Sequence, residues 1–255
     1  MAHKYKLIAC DILYREFCWL LATTPNIVDV QFMKKGLHDM GAPKMSSLLQ
    51  EALDAVPEDE YEAILLGYGL CGNGIQGLHC HLPLVVPRCH DCITLLLGSR
   101  KRYRRFFDEH PGTYFRSTGW IEREHPELLE NGQLDSTMTQ LGLSSINYAE
   151  LVEKYGEDNA QYILETLGGE GGTAKYDTLC YLEVPFGDFS EYEKGAREEA
   201  ERKGWTFQKE QADLILLRKL LWGEWNEEDF LLVPPGEQIA PVYNDAEIIR
   251  CDRCN

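Results

Sequence analysis

Apolar residues come in two rhythms along this chain, and the rhythms alternate. "KYKLIAC" is a short apolar run with a charged start, the pattern of a buried strand ending at Cys10, and "ILYREFCWLLA" follows as its crossover helix. "NIVDVQFM" predicts a second strand. In "PKMSSLLQEALDAV" the apolar residues recur at helical spacing behind a serine cap. "YEAILLGYGLCGNGIQGL" reads as a third strand that runs into a glycine-rich loop, and "LPLVVPRC" as a fourth. A helix is then expected with Asp91 as N-cap and with Ile93, Leu96, Leu97, Tyr103 and Phe107 as its inward stripe, ending near "EHPG". Within "SRKRYRRFF", Arg100, Lys101, Arg104 and Arg105 share the solvated side, while Tyr103, Phe106 and Phe107 turn inward.

The second half repeats the plan less sharply. "NYAELVEKYGEDNAQYILETLG" predicts a helix, "YDTLCYLEV" a strand, "EYEKGAREEAERKG" an exposed charged helix, "DLILLRKLLWGEW" an amphipathic helix and "DFLLVPPGEQI" a strand stopped by Pro-Pro. Strand and helix alternating in this way predict an α/β fold, a parallel, Rossmann-like sheet with right-handed crossovers, built as two similar lobes. The expected division is an N-terminal α/β lobe over residues 1–118, a polar linker or helical lid over 119–147, and a C-terminal lobe over 148–255.

Composition narrows the function. A chain of 255 residues buries enough surface not to need cysteines as staples, so its 9 Cys call for another explanation. Neither a secretory leader nor an apolar run near the roughly 20 residues that span a bilayer is visible, which predicts a cytoplasmic protein with no membrane partner. In a reducing compartment clustered thiols point to metal binding, redox chemistry or simple burial. A net charge of -17 argues against nucleic acid as a partner.

Open parallel sheets place their sites beyond the carboxyl ends of the strands. Cys10 closes the first predicted strand, Cys71 follows the third, and the Cys89-His90-Asp91-Cys92 turn follows the fourth, so three strand ends deliver thiols to one edge. Cys92, in the first turn of its helix, is placed where the helix dipole favours a thiolate, although a small buried residue would fit there too. Cys10, Cys71 and Cys92 with His90 make a donor set common for zinc, and the thiolates could equally hold an iron-sulfur cluster. The loop Gly72-Asn73-Gly74 permits close approach of a bound cofactor to the main chain. Among the acids, Glu16 and Asp91 are candidates for general base or for orienting a ligand histidine, as is Asp11, for which a helix cap is the plainer reading. His79-Cys80-His81 reads as surface decoration. Cys251 and Cys254, a second Cys-x-x-Cys, either form a knuckle with Cys89 and Cys92 or fray with the terminus.

The segments "LIACDILYRE", "GYGLCGNGIQGL", "PLVVPRCHDCITLLLGSRKRY", "PGTYFRSTGWIE" and "DFLLVPPGE" resemble a domain-of-unknown-function family of methanogenic archaea and anaerobic bacteria. The resemblance covers nearly the whole chain. It implies work near corrinoid-dependent methyltransferases of the trimethylamine and betaine type, beside which members are often encoded. The family's characteristic positions fall on Cys10, Glu16, Cys71, Gly72, His90, Asp91 and Cys92. Cys89 and the Cys251/Cys254 tail depart from its pattern, which moves the weight from Cys-x-x-Cys to His-Asp-Cys. Two expectations follow. One is a metalloenzyme in which zinc on Cys10, Cys71 and Cys92, with His90 and Asp91 or Glu16 handling protons, deprotonates a thiol that attacks a methyl group on a partner's corrinoid. The other is a non-catalytic carrier or chaperone that loads a metal, cluster or corrinoid onto a methyltransferase.

Overall fold

The computed structural model describes residues 2–123, 176–242 and 247–254. The chain starts with β1 (Lys4–Cys10), whose last four residues are buried, and a single 3-10 turn over Asp11–Leu13 leads into α1 (Tyr14–Leu21). The helix turns Phe17 and Leu20 inward and leaves Tyr14 and Trp19 exposed, as an amphipathic crossover must. β2 (Ile27–Met33), α2 (Ala42–Asp54), β3 (Ala63–Gly67) and β4 (Leu84–Pro87) complete the alternation. β3 and β4 are buried along their whole length, the mark of strands covered on both faces.

The first sheet has the order β2-β1-β3-β4-β8. Its first four strands are parallel, and β8 (Phe230–Val233) closes the edge antiparallel to β4. A second sheet of three parallel strands contains β5 (Thr113–Ser117), β6 (Thr178–Glu183) and β7 (Thr206–Gln211) in that order. Between the sheets in sequence lie α3 (Cys92–Leu97) and α4 (Arg100–Glu109). α5 (Thr118–Glu122) and α6 (Ser190–Lys203) belong with the second sheet, whereas α7 (Ile215–Trp222) packs back on α1, α3, β3 and β4. A hairpin of β9 (Glu237–Pro241) and β10 (Ile249–Arg253) ends the described chain. Among the described residues no helix is long and apolar enough to cross a membrane.

The expected mixed α/β plan is what folds, and three local expectations are corrected. α2 starts at Ala42 behind Gly41, with Pro43 in its first turn and no side-chain cap, so the serines lie inside the helix. The single helix expected after Asp91 is two helices, because Gly98 takes a left-handed φ of 71° and Ser99 caps a second start through Arg102 N. That break resets the helical phase, and Phe106 is buried while Phe107 is exposed. β5 pairs within the second sheet, and α7 and β8 return to the first. The predicted helix over 147–168 and most of the predicted linker lie outside the described residues.

Candidate functional site

The carboxyl ends of β1, β3 and β4 carry the thiols, and the backbone explains how they are brought together. Beyond β3, Leu70 N donates to Cys89 O at 2.9 Å and Cys71 N donates to His90 O at 2.7 Å, which extends the β3–β4 pairing into the two loops. Gly69 makes this approach possible, since a Cβ there would stand 2.7 Å from Asp91 N. Cys71, Gly72 and Asn73 then all take positive φ values of 49°, 60° and 69°. A cysteine in the left-handed region is uncommon and costs energy unless its surroundings hold it there.

Cys10, Cys71, Cys89 and Cys92 are 2 %, 8 %, 0 % and 8 % exposed, and all four are free thiols. Cys71 is the hub. It acts electrostatically on both Cys89 and Cys92, while Cys10 acts on Cys71 and Cys92. Burial pushes the Cys10 thiol up to about 12 and holds the other three well above the ordinary thiol range. The Asp91 carboxylate adds to this at Cys71, Cys89 and Cys92. At Cys92, desolvation and negative neighbours oppose the thiolate that the helix terminus would favour.

Asp91 caps α3 as the sequence predicts, with Oδ1 accepting from Thr94 N at 2.9 Å and Thr94 Oγ1 at 3.0 Å. Its Oδ2 accepts from the Tyr103 hydroxyl at 3.0 Å. Both oxygens are occupied, so Asp91 orients the turn and does not stand free as a base. The Tyr103 phenol is raised far above its usual range by burial, by Asp91 and by Cys92 and Cys89, so it stays a donor. His90 is exposed, its ring 6.4 Å from that of Tyr103, and both line an open groove of about 1170 Å³ along α4 with Arg100 and Arg104. The structure thus brings the backbone of His90 to Cys71 and turns its imidazole to the groove.

The remaining candidates are scattered. Glu16 is fully buried on α1, and neither carboxylate oxygen has a hydrogen-bond partner. Burial raises it to about 7 against the pull of its own backbone amide, with a smaller push from Glu122 and a smaller pull from Arg15. Asp11 does not cap the 3-10 turn that it begins; its Oδ1 accepts at 2.7 Å from the backbone N of Lys35, the first residue of a 3-10 helix over Lys35–Met40, tying the ends of β1 and β2 together. Gly72 is exposed, Asn73 half-buried and Gly74 buried against Met45. Cys80 is buried between His79 and His81, so that triplet is only partly surface. Cys251 sits in β10 with its thiol on Leu232 O at 3.3 Å, and Cys254 is exposed, so the tail is a paired strand at Cys251 and not a frayed end.

Sequence reasoning set aside one group that the structure brings to the thiols and overlooked another. Cys89 is fully buried beside Cys71, and its position two residues beyond a buried strand end was the available signal. The other is Tyr68, 1 % exposed, whose phenol is raised by burial and then by Cys10, Cys71 and Asp11. Its hydroxyl lies beside the Cys10 thiol but makes no hydrogen bond of ordinary geometry. A buried hydroxyl without a partner costs about 1–3 kcal/mol. Among the described residues, no three or more His, Cys, Asp or Glu side chains stand ready around a metal ion.

The sequence model of one family, described as "Protein of unknown function (DUF1638)", matches residues 32–221, about three quarters of the chain. No curated protein and no solved structure matches it.

Proposed function

We propose that this chain, which belongs to the DUF1638 family, holds a soft metal ion or an iron-sulfur cluster on the thiols of Cys10, Cys71 and Cys92, with Cys89 beside Cys71 as a fourth donor. The observation that carries this reading is the burial of four thiols at three neighbouring strand ends, where Leu70 N to Cys89 O and Cys71 N to His90 O hold the loops after β3 and β4 against each other. Thiols in a dry pocket beside an acidic side chain are poor nucleophiles as they stand. A cation among them reverses the balance, because it replaces their protons and is ligated by the thiolates that result. Zinc, iron in clusters and cuprous copper are the ions that thiolate sets select. Binding would draw the sulfurs inward from their metal-free positions, so metal uptake and local ordering are coupled.

Held by Cys10, Cys71 and Cys92 alone, a bound zinc would keep its fourth position for a substrate thiol, which as a Lewis acid it would hold deprotonated. Attack of that thiolate on a methyl group carried by a corrinoid partner is the enzymatic form of the proposal, and it rests on the resemblance to proteins encoded beside corrinoid-dependent methyltransferases. His90 and Tyr103 face the groove outside the thiols, where a substrate would enter. The burial of all four thiols favours a resident group over a cargo handed to another protein, which is the argument for this form over an accessory carrier.

Metal analysis and a visible spectrum of protein purified without oxygen test the proposal. About one zinc, or one cluster with broad thiolate-to-iron absorption, is expected per chain. Cys71→Ser should lose it, and Cys18→Ser, on the exposed face of α1, should keep it. A chain that binds neither zinc nor iron and sulfide under reconstitution, or a Cys71→Ser variant that binds them as well as the parent, would rule the proposal out.

A further inference from the structure

Tyr68 follows β3 directly and is buried among the thiols, yet its hydroxyl is without a hydrogen-bond partner. Buried hydroxyls in folded proteins are as a rule satisfied, so an unsatisfied one beside a cluster of thiols requires an explanation. Apolar packing does not supply it, because a phenylalanine would fill the same space without the unpaired oxygen. The neighbouring sulfur does. A protonated thiol is a weak acceptor, whereas a thiolate is a strong one that shortens and strengthens any hydrogen bond it receives. The unpartnered hydroxyl thus stands beside a sulfur that would become a strong acceptor on ligation.

We propose that Tyr68 is a positioning residue of the thiol site: when a metal or cluster is bound, its hydroxyl donates a hydrogen bond to the Cys10 thiolate. This rests on the metal-binding reading and adds to it a partner outside the ligand set. Such a bond would fix the direction of the Cys10 sulfur and draw electron density from it. Both effects tune the bound group, as donors to metal-bound ligands commonly do. It also explains why a tyrosine, and no other aromatic residue, serves at this place in the core.

Cobalt(II), which reports thiolate ligation through its charge-transfer absorption, is a suitable probe for the full-length chain kept free of oxygen. Tyr68→Phe should bind the same number of cobalt ions with roughly tenfold weaker affinity. Its sulfur-to-cobalt band should move to lower energy, since a sulfur freed of its hydrogen bond gives up an electron more readily. In the Cys10→Ser background, Tyr68→Phe should change neither quantity further, which assigns the effect to this pair. Without metal, Tyr68→Phe should melt at the same temperature as the parent or higher. An unchanged band and affinity in Tyr68→Phe would overturn the inference and leave the metal reading intact. A metal-free variant that melts clearly lower would overturn it as well, by revealing a structural partner for the hydroxyl. If the parent shows no sulfur-to-cobalt absorption at all, the metal reading fails and the role of Tyr68 fails with it.

Discussion

Glu16 shows how much one residue can decide. Its carboxylate is fully buried, has no hydrogen-bond partner and is raised to about 7 by burial and by Glu122. A carboxyl group whose pKa is higher folded than unfolded binds more protons in the folded state between about 4.5 and 7. Stability is therefore greatest below that window, falls as pH rises through it and levels off above it. The full difference corresponds to about 3 kcal/mol. Glu16→Gln should match the parent near pH 4 and melt higher at pH 8, a sign that urea unfolding at the two pH values would read directly. The helical phase of "YREFCWLL" places Glu16 with Phe17 and Leu20 on the inner face, so its burial was legible. The lack of a partner was not, because that depends on what α5 brings to it from a hundred residues away. Cys71 makes the complementary case. Its left-handed backbone suits glycine, so Cys71→Gly should be more stable than Cys71→Ala by about 1 kcal/mol, while both lose the bound metal.

Single elements were legible where pattern and punctuation agreed, and illegible where a contact from elsewhere set the boundary. The burial rhythm of β1, β3 and β4 and the cap at Asp91 follow from residues that lie within each element. The break between α3 and α4 does not. Gly98 and Ser99 can be read as a stop and a new cap, but a Cβ at Gly98 would lie 2.6 Å from Asp213 O, so the turn is also shaped by the approach to α7. Gly119 makes the same point more strongly. In α5 it sits against the 3-10 turn after β1, where a Cβ would fall 1.7 Å from Ile12 O. No side chain can rotate out of the way of a carbonyl oxygen, so Gly119→Ala must push α5 off the turn. A loss of about 3 kcal/mol is expected, at the upper end of ordinary overpacking. Because Ile12 is two residues from Cys10, the same variant should weaken metal uptake, and parallel melting and metal titration would show whether the two losses go together.

At the scale of the whole molecule, the edge of the first sheet is formed by a strand from residues 230–233, and no local pattern could announce that "DFLLV" pairs antiparallel with "PLVVP". The parallel order of the first four strands follows from the strand and helix alternation, whereas the return of α7 and β8 is a matter of tertiary packing. Arg88 fastens this return. It lies between β4 and Cys89; its Nε donates to Phe230 O at 3.2 Å, and its Nη1 donates to Glu247 O at 3.2 Å and to Ile249 O. One guanidinium thus joins the strand that leads into the thiol site to β8 and to the terminal hairpin. Desolvation lowers its pKa, yet three carbonyl contacts keep it useful as a donor. Lysine cannot copy this, because a single ammonium lacks the fixed fork that reaches separate carbonyl groups. Arg88→Ala and Arg88→Lys should both lose about 2 kcal/mol, with most of the effect in the hairpin. Hydrogen exchange would show it as faster exchange at Arg250, Asp252 and Arg253 with little change in β1 or β3. Equal acceleration throughout the first sheet would mean that the hairpin is part of the cooperative core, and metal content measured alongside would then tell whether the thiol site depends on that closure.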